Sequence, residues 1–327
     1  MIRDIGEKGL LERLQRFCPP EIVGDDAAVI TTQPGKSLVV TTDMLVEQVH
    51  FSDRTTSPED AGWRAAAANL SDLAAMGAFP LGITVALGLR SDVAVSWVEQ
   101  LYQGITQCLQ QYHTVIVGGD ISRSAVTTIA ITAFGQVNPK QTLRRSVAQI
   151  GDAIVVTGVH GSARAGLELL LHPELGKELS KSDRTALIKS HQRPQPRLDV
   201  LPLLWQVVGA TPRLAGMDSS DGLADAIVQI CQMSGVGAKI DCSQIPISSA
   251  LTNLVSPTQA LEYALYGGED FELLLCLPVA QAMSLVQKLG GAAIIGTITS
   301  DSIVKAIDPT GKNPDQVLTL SRGFQHF

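Results

Sequence analysis

The feature that most constrains the fold is an alternation of β-branched runs with alanine-rich and leucine-rich runs. The strand-like segments SLVVTTDMLVEQVHF and LGITVALGLR alternate with the helical segments SPEDAGWRAAAANLSDLAAMGA and SDVAVSWVEQLYQGITQCLQQY. Ser57 can cap the first of these helices, and Pro58 suits its first turn. The alternation is typical of α/β and α+β proteins, and we expect that class here.

The alternation is interrupted once, over residues 136–151, where the chain is polar and contains the turn-forming pair Asn138-Pro139. It then restarts with a strand-like GDAIVVTG, a helical GSARAGLELLL and a helical DSSDGLADAIVQICQMSG. A chain of 327 residues with 45% hydrophobic residues can bury the cores of two domains. We therefore predict two α/β domains, over residues 1–140 and 141–327.

Charge and cysteine usage exclude several classes of protein. The formal net charge is -7 and there is no basic stripe, which disfavours a nucleic-acid partner. The five cysteines are scattered without a CxxC pair, as expected for reduced thiols. The first residues, MIRDIGEKGLLERL, are too charged for a signal peptide, and no apolar run approaches the ~18 residues that a membrane span needs. We expect a cytoplasmic protein.

Acidic residues recur beside glycine or serine in GDDAAV, VTTDML, NLSDLAAMG, VGGDIS, MDSSDGL and YGGEDFEL. Taken singly, most of these motifs also have a structural explanation, such as a turn, a strand end or a helix N-cap. Asp72 is the exception, because it lies inside an alanine-rich helical run, where aspartate is unfavourable. A buried carboxylate there would need a metal ion or a charged partner.

Taken together, the motifs favour a site for nucleotide and magnesium. Hard divalent cations bind carboxylate oxygens, and Mg²⁺ is commonly shared between carboxylates and substrate phosphates. Glycine beside the acid lets the backbone approach a phosphate closely. No GxxxxGK[ST] motif is present, and the HRD and DFG motifs of protein kinases are absent.

The motifs GDDAAV, TTDMLVEQVHF, NLSDLAAMGA, GGDISR, LRRS, DSSDGL, GGEDFEL and GFQHF occur in this order along the chain. In this respect the whole chain resembles the thiamine-monophosphate kinase family. The resemblance implies the two-domain fold of the aminoimidazole ribonucleotide synthetase-like superfamily, with N-terminal sheets pairing across a homodimer. It also implies transfer of the γ-phosphoryl group of ATP to thiamine monophosphate, with several Mg²⁺ ions.

The resemblance assigns roles to individual residues by their place in these motifs. The metal ligands it implies are Asp26, Thr41, Thr42, Asp43, Asp72, Asp120, Asp218 and Asp221. The ATP contacts it implies are Tyr102, Gly119, Asp120, Arg145 and Ser220. The contacts it implies with thiamine monophosphate are His50, Glu269 and Phe324.

We expect no covalent nucleophile and no strong general base, because the acceptor is a phosphate monoester whose second pKa is about 6. Structural explanations remain open for three residues: a strand-end histidine for His50, core packing for Phe324 and helix packing for Tyr102. The alternatives are another ATP-using member of the superfamily, a metal-dependent phosphohydrolase, and a non-catalytic metal-binding protein.

Overall fold

The computed structural model describes residues 1–19, 30–209, 213–309, 311 and 314–322. The chain divides into two compact units, the first made of Met1–Leu73 and Ala78–Pro139, the second of Ala74–Gly77 and Lys140–Phe327. A four-stranded sheet belongs to the first unit and a seven-stranded sheet to the second. Helices accompany both sheets, which confirms the predicted mixed α/β class.

The first unit contains strands β1 to β4 and helices α1 to α3. Their bounds are α1 Ile2–Leu14, β1 Ser37–Val46, α2 Pro58–Ala75, β2 Phe79–Leu89, α3 Val95–Gln111, β3 Ile116–Arg123 and β4 Thr128–Val137. The strand order is β1-β4-β2-β3, in which β4 is antiparallel to β1 and β2, and β2 is parallel to β3. Helix α3 connects the parallel pair, as a crossover connection requires.

Side chains of β4 alternate strictly between buried and half-buried positions, so one face of the sheet is covered and the other is more open. Helix α2 begins as predicted, because the Ser57 hydroxyl accepts the Asp60 N–H at 3.1 Å. Strand β1 ends at Val46, earlier than the run SLVVTTDMLVEQVHF predicts. The chain turns there, with a left-handed backbone at Gln48, φ 69°.

The second unit contains seven strands and seven α-helices among its described residues. The strands are β5 Ala153–Val156, β6 Ala215–Asp218, β7 Gly237–Asp241, β8 Leu273–Leu277, β9 Ala293–Thr299, β10 Val304–Ile307 and β11 Gln316–Val317. The helices are α4 Ser162–Leu171, α5 Lys181–Gln192, α6 Val200–Val208, α7 Leu223–Ser234, α8 Ser249–Leu254, α9 Pro257–Tyr266 and α10 Val279–Lys288. The strand order is β11-β10-β7-β9-β5-β8-β6.

The topology of this sheet brings three connections to one edge. Strands β5 and β6 both run antiparallel to β8, which lies between them, so they run parallel to each other. The loops that follow them, residues 157–161 and 219–222, therefore meet the segment 267–272 that precedes β8. Helices α4 and α7 begin directly after the first two loops. This edge positions the acidic motifs of the second unit.

Several elements of the second unit were not predicted. Helix α5 is polar and begins at a cap in which Ser180 accepts the Asp183 N–H, and helices α8 and α9 begin at similar serine caps. In the run GGEDFELLLCLP, only Leu273–Leu277 is a strand. No helix in the described ranges is long and apolar enough to cross a membrane.

Candidate functional site

In the first unit, strand β1 and helix α2 bring together three of the residues predicted to bind metal. Thr41 and Asp43 alternate onto the same face of β1, and the Thr41 hydroxyl donates a hydrogen bond to the Asp72 carboxylate on α2. Asn69, one turn earlier on α2, accepts the Asp43 N–H through its side-chain oxygen at 3.2 Å. Asn69 is fully buried and was missed at the sequence level, although it stands in the NLSDLAAMG motif.

Thr42 and Asp120 lie on the opposite face of this sheet. Thr42 is exposed, and its hydroxyl donates to the Ile131 carbonyl at 2.9 Å. Asp120 pairs with Ala86, and the cross-strand neighbours of Ala86 lead to Met44 on β1, so Asp120 and Met44 lie on the same face of the sheet. Asp43 is the residue before Met44 on β1 and therefore lies on the other face. Strands β1 and β3 are three interstrand spacings apart, about 14 Å. One copy of the chain therefore cannot bring Asp43 and Asp120 to the same ion.

His50 lies in the turn that follows β1, where two hydrogen bonds hold it. The Val46 N–H donates to His50 Nδ1 at 3.1 Å, and Arg64 Nη1 donates to the His50 carbonyl at 2.8 Å. An N–H can donate only to a lone pair, so Nδ1 carries no proton and the neutral ring carries its proton on Nε2. His50 is thereby prepared as a hydrogen-bond donor at Nε2.

The structure gives packing roles to two residues predicted to contact ATP. Tyr102 is 5% exposed, its ring lies 5.6 Å from that of Phe17, and burial raises its pKa. A Cβ atom on Gly119 would lie 2.1 Å from the Val85 carbonyl oxygen, so the close approach of β3 to β2 requires glycine there. Their contacts with ATP remain predictions.

In the second unit, Asp218 ends β6 and is buried, whereas Asp221 is exposed in the loop just before α7. The Ser220 hydroxyl donates to the Asp218 carboxylate at 3.0 Å. Helix α7 begins at Leu223, so this loop lies at a helix N-terminus, where unpaired N–H groups and the helix dipole favour anions. The loop can therefore offer carboxylate oxygens to a cation and backbone donors to a phosphate.

The Gly268–Phe271 segment lies against this loop in a strained conformation. The Glu269 N–H donates to the Ser220 carbonyl at 2.7 Å. Glu269 and Phe271 have positive φ angles of 59° and 51°, a rare conformation for residues other than glycine. Such strain clusters at functional sites. The Glu269 carboxylate also lies 3.5 Å from Nδ1 of the buried His191.

Arg145 is exposed and donates to the Gln229 side chain at 2.6 Å. Gln229 in turn donates to the Asp225 carboxylate, one turn earlier on α7, at 2.5 Å. The chain beside Arg145 is fixed to the sheet, because the Gly216 N–H donates to the Arg144 carbonyl at 3.2 Å. The guanidinium of Arg145 is thereby held along α7, and Asp225 is a further polar residue that was not predicted.

A group of half-buried polar residues next to loops 157–161 and 219–222 was also missed at the sequence level. Asp270 accepts the N–H groups of Gly161 and Ala163, at 2.6 and 3.0 Å, at the start of α4. Burial raises the pKa of its carboxyl group, although these two donors oppose the shift. Arg197 donates to the Glu272 carboxylate at 2.5 Å. The only sequence signal was the unusual density of acidic residues in GGEDFEL.

The remaining predicted site residues are Asp26 and Phe324, which lie outside the described residues. The chain just before Gly323 is fixed, because the Arg322 guanidinium lies 4.4 Å from the centre of the Tyr266 ring. Tyr266 ends α9 and immediately precedes Gly267. Within the described ranges, no three His, Cys, Asp or Glu side chains are grouped closely enough to hold a metal ion.

Comparison with known proteins decides the family of this chain. Residues 24–137 match the N-terminal domain of AIR synthase related proteins, and residues 149–308 match the C-terminal domain. The chain is 51% identical to the thiamine-monophosphate kinase of Synechococcus elongatus over 100% of this chain and 98% of that one. It belongs to the thiamine-monophosphate kinase family.

Solved structures of this family share the fold. The thiamine-monophosphate kinase of Stenotrophomonas maltophilia is 34% identical, with a TM-score of 0.80 over 91% of this chain and 95% of that chain. AaThiL complexed with AMPPCP and TMP is 33% identical, with a TM-score of 0.77 over 100% of this chain and 99% of that chain. The fold predicted from the family resemblance, two AIR synthase related domains, is confirmed.

Proposed function

We propose that this chain transfers the γ-phosphoryl group of ATP to the phosphate of thiamine monophosphate, giving ADP and thiamine diphosphate. The main support is the similarity of the whole chain to thiamine-monophosphate kinases. One similar solved structure, AaThiL, is a complex with AMPPCP and TMP. The oxygen-rich clusters at Asp43 and Asp72 and at Asp218 and Asp221 suit two phosphorylated substrates. Cytoplasmic localisation is part of the proposal and rests on the scattered free cysteines.

The residues of both clusters fit magnesium, because their donors are carboxylate, hydroxyl and amide oxygens. In the first unit Thr41, Asp43 and Asp72 would hold it, and in the second Asp218 and Asp221 would. When bound, Mg²⁺ neutralises phosphate charge so that two polyanions can approach each other. A Mg²⁺ role for Thr42 and Asp120 belongs to the proposal, on the other face of the first sheet.

The protein side chains are assigned binding and orienting roles. The acceptor phosphate is already mostly ionised near pH 7, so no residue needs to remove a proton from it. His50 is assigned to the acceptor, because its Nε2–H can donate to a phosphate oxygen while Val46 holds Nδ1. Glu269 is assigned to the thiamine moiety, whose thiazolium ring is cationic. Phosphoryl transfer is direct, and positioning supplies most of the rate enhancement.

Nucleotide binding is assigned to residues of both units. Ser220 and the start of α7 offer a hydroxyl and backbone donors to phosphate oxygens, and Arg145 supplies a guanidinium held beside the same helix. Gly119, next to Asp120, is exposed on β3 and lets a phosphate approach the backbone closely. Tyr102 and Phe324 complete the proposed contacts, to adenine and to thiamine monophosphate respectively.

One assay tests the function. The purified chain is incubated with ATP, Mg²⁺ and thiamine monophosphate, and the products are separated by chromatography. We expect ADP and thiamine diphosphate in equal amounts. Phosphate release without thiamine diphosphate would indicate a phosphohydrolase instead. The matched control uses unphosphorylated thiamine, which lacks the ionised acceptor oxygens and should not be converted.

The proposal includes a homodimer formed through the four-stranded sheet. On its open face, Leu38, Val40 and Met44 are each more than 50% exposed, and Phe79 lies in the same row as Leu38. An apolar surface of this kind is typical of a protein interface. The edge strands β1 and β3 can also pair with a second copy.

Light scattering coupled to size-exclusion chromatography tests the dimer. Val40→Glu places a charge on the apolar face and should convert the dimer into monomer. Val49→Glu is the matched control, because Val49 is equally exposed but follows the end of β1. A monomeric wild-type chain, or a dimeric Val40→Glu variant, would contradict this interface.

A further inference from the structure

The imidazole ring of His160 bridges two loops of the second unit. His160 is 1% exposed and lies between β5 and α4. Its Nδ1 lies 3.1 Å from the Gly158 carbonyl oxygen, and its Nε2 lies 3.2 Å from Ser219 Oγ in the loop after β6. Its backbone N–H donates to the Pro246 carbonyl at 3.0 Å, so the residue is fixed at the backbone as well as at the ring.

The partners of the ring determine which nitrogen carries the proton. A carbonyl oxygen only accepts, so Nδ1 must be protonated to donate to Gly158. Nε2 then has a lone pair and accepts the hydroxyl proton of Ser219. Burial favours this neutral ring and lowers the pKa of His160 to about 4. The Ser219 hydroxyl therefore donates its proton to His160 Nε2.

Ser219 is held from two sides and stands between two functional residues. Its N–H donates to the Glu272 carbonyl at 2.9 Å, and its hydroxyl donates to His160. Asp218 precedes it and Ser220 follows it. A rotation of the backbone at Ser219 would therefore move the neighbouring carboxylate and hydroxyl together.

We propose that His160 is a positioning residue that acts through the Ser219 hydroxyl to fix the loop carrying Asp218 and Asp221. The inference rests on the proposed function, in which this loop binds Mg²⁺ with ATP. His160 does not touch substrate. It lies behind the loop and determines the geometry in which the two carboxylates are presented. Loss of its bond to Ser219 leaves the loop in place but less well ordered, which weakens cation binding.

Two substitutions of His160 separate positioning from packing. His160→Gln leaves an amide oxygen that can reach the place of Nε2 and accept from Ser219. His160→Asn leaves a donor for Gly158 but is too short to reach Ser219. Both remove the ring, so both lose similar packing. Mg²⁺ affinity is measured by calorimetric titration of Mg²⁺ into the full chain with saturating AMPPCP, and kcat and the Mg²⁺ dependence of turnover are measured in parallel.

We expect His160→Asn to weaken Mg²⁺ binding roughly ten-fold, the effect of one lost buried hydrogen bond. His160→Gln should stay within roughly three-fold of wild type. Ser219→Ala removes the same bond from the other side and should match His160→Asn. The double variant should lose no more than either single variant, because the bond can be lost only once.

Leu285→Ala is the control for lost stability. Leu285 is fully buried in α10, which begins beyond the opposite end of β8. It should lower the urea midpoint of unfolding while leaving Mg²⁺ affinity unchanged. If His160→Asn behaves like this control, or if His160→Gln is as impaired as His160→Asn, the positioning role is wrong.

Two further outcomes remain interpretable. If His160→Asn does not fold, Ser219→Ala tests the same bond, and an unchanged Mg²⁺ affinity in that variant would overturn the proposal. If the wild-type chain makes no thiamine diphosphate, the proposed function fails, whereas the titration of Mg²⁺ with AMPPCP still decides whether His160 positions the loop.

Discussion

In the first unit, Thr41, Asp43 and Asp72 are placed by the register of one strand against one helix, whereas in the second unit Asp218 and Asp221 lie in a loop that side chains hold from behind. The strand and the helix are held by their own backbone hydrogen bonds, so their geometry does not depend on the side chains of this cluster. The loop depends on Ser219, which bonds to His160 and to the Glu272 carbonyl.

The two clusters differ in how their carboxylates are held in position in the absence of a bound ligand. On β1 and α2 the donors are rigid because the backbone hydrogen bonds of regular structure fix them. Residues 219–222 lie in a loop between β6 and α7, outside regular structure. Hydrogen bonds from Ser219 to His160 and to the Glu272 carbonyl hold this loop instead. We therefore expect substitutions in the first cluster to affect chemistry alone, and substitutions behind the second to affect chemistry and stability together.

The largest expected effect tests the first cluster. Asp72→Asn keeps the shape of the side chain and an acceptor for Thr41 but removes the negative charge, so turnover should fall by about 100-fold or more. The urea midpoint should not change. Asp92→Asn is the control, because Asp92 is exposed and pairs only with Arg90 in the described contacts. Retained activity in Asp72→Asn would show that this carboxylate binds no essential ion.

The next effect tests the rigidity of the network behind the second cluster. A Cβ atom on Gly158 would lie 2.3 Å from the Glu272 carboxylate, which Arg197 holds in place. Gly158→Ala should therefore lower the free energy of unfolding by about 1–3 kcal/mol and reduce turnover as well. Gly290→Ala is the control, because nothing lies within 4 Å of its added Cβ. Equal urea midpoints for the two variants would mean that Glu272 moves freely.

The smallest effect is a pH dependence of stability. The pKa of His160 falls from 6.5 in the unfolded chain to about 4 in the folded protein, so the unfolded chain binds more protons between these values. The neutral His160 ring therefore contributes to the free energy of unfolding above pH 6.5, and this contribution is lost as the pH falls towards 4. Between pH 7 and 5 the loss is about 2 kcal/mol.

The measurement compares urea unfolding of wild type and His160→Gln at pH 7 and pH 5. The comparison isolates His160, because Asp270, whose pKa is raised by burial, contributes a slope of opposite sign in both proteins. We expect the wild type to lose about 2 kcal/mol more than the variant on acidification. An identical loss in both proteins would mean that folding does not lower the pKa of His160.

Much of the first cluster could be predicted from sequence, because a strand and a helix have fixed periods. The alternation in VTTDML places Thr41 and Asp43 on one face, and Asp72 is conspicuous within its alanine-rich helix. Asn69 could have been found by the same reasoning, since it lies one helical turn before Asp72. The placement of Asp120 could not, because it depends on which strands are neighbours in the sheet.

Less of the second cluster was predictable. DSSDGL and GGEDFEL marked two acidic segments, but the sequence did not show that the Glu269 N–H donates to the Ser220 carbonyl. His160 stands in VVTGVHGSARAG, which by itself is only a weak glycine-rich signal. Its partner Ser219 is 59 positions away along the chain, and no local pattern connects them.

The sequence by itself determined the mixed α/β class, the acidic motifs and the family. Periodicity and motif order are local properties, and each can be read within a short window of the chain. Only the tertiary structure decided that Thr41 contacts Asp72, that Asp43 and Asp120 of one chain lie too far apart to share an ion, and that His160 contacts Ser219 in the loop of Asp218. These are long-range contacts, and the order of strands in a sheet and the partners of buried polar groups are fixed when the chain folds.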